Sequence, residues 1–120
     1  VLAVCGDGGF LMNVQEMETA CRLDSNIVVM VWEDHAYGLI AWKQQNHFGR
    51  HTELSFGNPD FLKLADAFGW HGHRCERSVE LRDTLEAAFT ETGPSLVVVP
   101  IDYAENQKLT ERLGDITCAI

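Results

Sequence analysis

The run Ile27-Val28-Val29-Met30-Val31-Trp32 is continuously apolar. A strand with one wet face alternates apolar and polar residues, so an unbroken run of this length belongs to a strand covered on both faces, as in a mostly parallel sheet between helices. Ser95 to Val99, after the turn Gly93-Pro94, reads as a second such strand, and Val1 to Cys5 as a shorter one that halts at glycines. Parallel neighbours need crossover connections, so helices are expected between them.

The intervening segments supply them. From Phe10 to Leu23, Leu11, Val14, Met17, Ala20 and Cys21 recur at three- and four-residue steps, which is a helix face; Asp24-Ser25-Asn26 then turns the chain. Leu39 to His47 reads as a helix that frays into Gly49 to Ser55, a polar stretch with no regular period. Asn58 is the expected N-cap of a helix with Pro59 in its first turn, lined by Phe61, Leu64, Ala65 and Phe68 and stopped by Gly69. Trp70 to Cys75 reads as a third strand, and Ser78 as the cap of a helix through Leu81, Leu85, Ala88 and Phe89. Beyond Pro100 a short helix around Lys108 to Leu113, packing on another domain, is expected. The fold class is therefore α/β: a doubly wound, mostly parallel sheet with helices on both faces, whose ligands sit beyond the carboxyl ends of the strands.

With 120 residues the chain makes one domain, and its start at Val1, inside a strand and without Met, suggests a piece of a longer polypeptide. A net charge of −9 with only nine scattered Lys and Arg argues against a nucleic-acid partner. No apolar stretch approaches the ~20 residues of a membrane span, so no membrane partner is expected. The four cysteines, at 5, 21, 75 and 118, form no CxxC or zinc spacing and read as packing thiols in a reducing cytoplasm.

Chemistry concentrates at two strand tips. The first strand runs into Cys5-Gly6-Asp7-Gly8-Gly9, and the second ends in Trp32-Glu33-Asp34-His35, with Asp34 27 residues after Asp7. Gly6, Gly8 and Gly9 let backbone N–H groups approach an anion, and the next helix adds its positive end. The dinucleotide fingerprint fails, because Leu11 stands at the third glycine position and Asp7 would repel phosphate. A carboxylate there needs a cation: Asp7 and Asp34, with a loop carbonyl just past Asp34, suit a hard ion such as Mg²⁺ held against a diphosphate. The plainer alternative is that Asp7 caps the following helix and Asp34 decorates a turn.

Gly6-Asp7-Gly8 closing on Asp34 resembles the signature of thiamine-diphosphate enzymes. The segment from Gly6 through Met12 and Glu16 to Ala20, followed by Trp32 to Tyr37, most resembles acetolactate synthases. Phe56-Gly57, Asp60-Phe61, Ala65 to Gly69 and Gly93-Pro94 through Tyr103 continue the likeness. The resemblance implies that residues 1–120 are the C-terminal diphosphate-binding domain, with the pyrimidine-binding and middle domains absent. It implies that Asp7 and Asp34 ligate Mg²⁺ with the Ala36 carbonyl, and that Gly6, Gly8 and Gly9 surround the diphosphate of thiamine diphosphate. Tyr37, Leu39 and Ile40 would face the thiazolium, although packing explains Leu39 and Ile40 equally well.

The same resemblance implies a cytoplasmic homo-oligomer that condenses two pyruvates, or a related 2-oxo acid, to 2-acetolactate and CO₂. An activating Glu would come from a missing domain of a partner subunit, so no catalytic residue is expected on this chain. Asp at position 34, preceded by Trp32, favours the catabolic branch that uses no FAD, and no flavin is expected on this domain. Lys43 falls where biosynthetic synthases keep a substrate-lining Trp and catabolic ones often a Gln; the neighbouring Trp42 would point elsewhere.

Other readings stay open from the residues. Another thiamine-diphosphate 2-oxoacid decarboxylase or pyruvate oxidase would share these features, and a non-catalytic interaction module would keep only the fold. An aspartate-dependent phosphohydrolase would place its nucleophile at Cys5, where the chemistry fails. His71 with His73, or His47 with His51, could begin a transition-metal site but lack a third ligand nearby in sequence. Glu16 and Glu18 read as solvated or interface carboxylates.

Overall fold

The computed structural model describes residues 1–103. Four parallel strands, β1 (Leu2–Gly6), β2 (Val28–Glu33), β3 (His71–Arg74) and β4 (Ser95–Pro100), lie in the order β1-β2-β4-β3. The two most apolar runs are the two central strands: Val28 to Val31 and Leu96 to Val98 are all buried. β1 pairs with β2 from Leu2↔Val28 to Gly6↔Trp32, so the glycine-aspartate turn and the Trp32-to-His35 turn leave the sheet at the same edge.

Both faces are covered, as the unbroken strands require. On one, Met17, Phe61, Ala65 and Trp70 pack against Val29, Val31, Leu96 and Val98; on the other, Ala88 packs against Val28, Met30 and Val97. The helices are α1 (Asp7–Leu11), α2 (Glu16–Arg22), α3 (Gly38–Phe48), α4 (Phe61–Phe68) and α5 (Leu81–Thr90). The expected helical tail around Lys108 to Leu113, and Cys118, lie outside the described residues. Cys5, Cys21 and Cys75 are free thiols; Cys21 and Cys75 are hydrogen-bonded to main-chain carbonyls. No helix among the described residues is long and apolar enough to cross a membrane.

Several local expectations are corrected. The helix expected from Phe10 to Leu23 is two helices, and the first begins at Asp7, so the aspartate sits inside its opening turn. The cap of α4 is Asp60, whose carboxylate accepts from the Leu62 and Lys63 amides; Pro59 lies outside the helix and Asn58 is free to serve elsewhere. Ser78 opens a 3-10 turn and does not cap α5. At the end of β2 the burial is inverted: Trp32 is exposed, and Glu33, only 7 % exposed, pairs with Arg74 of β3 at 2.8 Å. A buried carboxylate needs such a partner.

The α4 face carries the larger core, with Phe61 set edge-on to Phe10 of α1 at 5.8 Å between ring centres. Phe61→Ala should therefore cost about 3–5 kcal/mol of stability by denaturant unfolding; a loss below ~1 kcal/mol would mean that this face is not a fixed core.

Candidate cofactor and metal site

Three chain segments meet at the carboxyl ends of β1 and β2. The first is the Gly6-to-Gly9 turn, the second the His35-to-Gly38 turn leading into α3, and the third the irregular stretch between α3 and α4. That stretch has no period because it doubles back: Ala36 and Ser55 form an antiparallel bridge, with Tyr37 N–H donating to the Leu54 carbonyl and Phe56 N–H to that of His35, each at 2.9 Å.

Asp7 stands at the meeting point and is 1 % exposed. Its Oδ2 accepts from Asn58 Nδ2 at 2.6 Å, from His35 N–H at 2.8 Å and from Asp34 N–H at 3.1 Å, while Oδ1 accepts from Gly8 N–H at 2.7 Å. Burial alone would push its carboxyl up; the hydrogen bonds from Asn58, His35, Gly8 and Asp34 outweigh that and hold it below the ordinary carboxylate range. Asp34 is driven the other way, upward, by burial and then by the negative charge of Asp7. Its own support is thin, a 3.4 Å contact from Ala36 N–H to Oδ1. Among the described residues neither carboxylate pairs with a Lys, Arg or His.

Two neighbouring carboxylates, one buried and neither paired with a Lys, Arg or His among the described residues, are a donor set that fits a cation. The set suits a hard ion, which prefers one or two carboxylates and completes its shell with carbonyl, phosphate and water oxygens. Ala36 lies in the turn directly after Asp34, and among the described residues no backbone donor is bonded to its carbonyl. A transition metal suits less well, since no group of three or more His, Cys, Asp or Glu side chains among the described residues is placed to hold one. His71 and His73 both face Glu91 at 3.6 and 3.9 Å, and His47 stacks edge-on against Phe48; neither pair gathers a metal centre. Glu18 pairs with Arg22 on the exposed face of α2.

The glycines divide by role. A Cβ on Gly6 or Gly9 would meet open space, so nothing described in this chain excludes a side chain there, and the room over the turn is kept. Gly8 is constrained from inside: a Cβ would fall 2.7 Å from the Tyr37 ring, which stacks on Phe56 with 4.9 Å between centres. Tyr37 is thus the aromatic wall of the glycine turn. Leu39 and Ile40, at the start of α3, are 68 % and 47 % exposed, so core packing does not account for them. Trp42 and Lys43 lie farther along the same helix, beside Asn46 and His47 in an open surface hollow.

The sequence reading missed three participants. Asn58, the expected helix cap, bonds Asp7 across 51 residues of chain instead. Gly38 belongs to the site as well: a Cβ there would lie 2.8 Å from Asp34 Oδ2. Tyr103 lies against the same glycine and carries a phenol raised by burial and by the charges of Asp34 and Asp7. A glycine four residues after a candidate ligand was the one available signal; for Asn58 there was none.

With this geometry the comparisons agree. Residues 1–99 match the family described as "Thiamine pyrophosphate enzyme, C-terminal TPP binding domain". The chain belongs to that family and is a thiamine-diphosphate-binding domain. The acetolactate synthase of Bacillus subtilis (strain 168) is 39 % identical over 121 residues, covering 97 % of this chain and 21 % of that protein. The catabolic acetolactate synthase of Raoultella terrigena is 41 % identical over 113 residues, covering 94 % of this chain and 20 % of its own length. The chain therefore spans about a fifth of the length of these relatives. Benzoylformate decarboxylase from Polynucleobacter necessarius superposes with a TM-score of 0.75 at 24 % identity, over 84 % of this chain and 19 % of that one, and shares the fold.

Gly38→Ala isolates the Asp34 carboxylate. The clashing atom is the end of a side chain that can rotate away, so stability should change by less than ~1 kcal/mol. Divalent-cation affinity, read by titration calorimetry with thiamine diphosphate present, should fall at least about tenfold. Unchanged affinity would show that Asp34 need not point at Gly38.

Proposed function

We propose that this domain anchors thiamine diphosphate through Mg²⁺ held by Asp7, Asp34 and the Ala36 carbonyl, in a complete protein that condenses two pyruvates to 2-acetolactate with loss of CO₂. The observation that carries the metal assignment is the pair of uncompensated carboxylates at neighbouring strand tips. The printed names of the two relatives, acetolactate synthase and its catabolic form, support the reaction.

When bound, the cofactor supplies the carbanion chemistry, and the protein contributes binding, orientation and electrostatics. In this chain the turn of Gly6, Gly8 and Gly9 would surround the diphosphate, with the Gly8 N–H already given to Asp7 Oδ1, and the cation held by the two aspartates would offset its charge. Tyr37 and Phe56 wall the turn, while Leu39 and Ile40 offer apolar surface at the thiazolium side. The residue that promotes proton loss from the cofactor lies in a domain outside this chain, contributed by a partner subunit, so residues 1–103 bind and orient and do not move the reacting proton. The flavin-independent catabolic branch is the closer reading, with cytoplasmic location following from it.

In the full-length protein, Asp7→Ala or Asp34→Ala should weaken Mg²⁺-dependent binding of thiamine diphosphate about 100-fold by calorimetry; unchanged heats would overturn the ligand assignment. With pyruvate, the wild-type product should be 2-acetolactate, scored as acetoin after acid treatment. Acetaldehyde or acetyl phosphate in its place would move the protein to a decarboxylase or an oxidase.

A further inference from the structure

Asp7 is bound unevenly. Three donors, Asn58 Nδ2, His35 N–H and Asp34 N–H, converge on Oδ2, whereas among the described residues Oδ1 takes only the amide of the adjacent Gly8. A carboxylate oxygen offers about two lone-pair directions, so Oδ2 is saturated and Oδ1 retains capacity. Two of the three donors are backbone amides of the turn after β2. The third is the only side chain, and it comes from a loop fixed by the Ala36–Ser55 bridge three residues upstream.

The Asn58 amide is committed to this contact. Its Oδ1 is buried and has no hydrogen-bond partner among the described residues, and an ionised carboxylate can only accept, so the nitrogen must face Asp7. A neutral donor is also the fitting choice. Lys or Arg would supply the missing positive charge and compete with a cation, whereas an amide fixes the carboxylate and leaves its charge available.

We propose that Asn58 is a positioning residue that makes Asp7 a one-oxygen ligand, and so biases the site toward Mg²⁺ over Ca²⁺. Mg²⁺ demands near-octahedral geometry with single oxygens at short distance, while Ca²⁺ accepts a carboxylate through both oxygens in a looser shell. Holding Oδ2 in hydrogen bonds withdraws it from the two-oxygen mode. This inference rests on the Mg²⁺ reading above and extends it from the ligands to the residue that orients one of them.

The test uses the full-length protein with saturating thiamine diphosphate and measures Mg²⁺ and Ca²⁺ affinities by calorimetry for wild type, Asn58→Ala, Asn58→Gln and Asp7→Ala. A wild type that binds no divalent cation, or an Asp7→Ala variant that binds as wild type does, would sink the metal reading itself. With those controls passed, Asn58→Ala should lose about 10- to 100-fold in Mg²⁺ affinity, and its Ca²⁺ affinity should fall several-fold less, so that the preference shifts toward Ca²⁺. Asn58→Gln, which keeps a neutral amide donor on a longer side chain, should recover part of that preference. The proposal is overturned if the two affinities fall in equal proportion, as general loosening of the loop would produce, or if neither changes.

Discussion

The buried carboxylate of Asp7 is the constraint around which the site is arranged. Placing a charge at 1 % exposure with no cationic partner among the described residues is costly, and here it is offset by four hydrogen bonds gathered from three separate segments. Those segments take their shapes from that requirement. The β1 strand stops where the turn must offer the Gly8 amide, the β2 strand opens into a turn whose amides point back at Oδ2, and the long connection to α4 doubles back to bring in Asn58.

The consequence is an electrostatic imbalance. Asp7 is held ionised, and its charge then works against ionisation of Asp34 next door. The parallel register that aligns Gly6 with Trp32 sets the two strand tips side by side, so the conflict is built into the sheet. A divalent cation would remove it, because it would replace repulsion between the carboxylates with attraction to both. A diphosphate bound at the same place would add further negative charge, so under the reading proposed above a glycine turn carrying an aspartate suits a metal-held diphosphate better than a bare one.

The fold was legible because its signals were strong and redundant. Continuous apolar runs identified the two central strands, and three- and four-residue periodicity identified the helices that cover them. The adjacency of Asp7 and Asp34 was legible because each follows an apolar strand and parallel neighbours end at the same edge of the sheet. What escaped was set by tertiary geometry. Asn58 and Asp60 are both good caps two residues apart, and which one caps depended on the other being drawn to Asp7. The first helix begins at Asp7 because two glycines and an aspartate adopt helical angles where the sheet ends, against their own weak propensity. Gly38 avoids a clash with Asp34 Oδ2, a contact set by the fold of the turn and not by any local sequence signal.

The central claim, that Asp7 and Asp34 share one cation, is tested most directly by replacing Mg²⁺ with Mn²⁺ in the full-length protein and locating the metal by anomalous diffraction with thiamine diphosphate bound. One peak is predicted within coordination distance of Asp7 Oδ1, the Asp34 carboxylate and the Ala36 carbonyl, with Asp7 Oδ2 still held by Asn58. A metal bound to the diphosphate but away from either aspartate would contradict it.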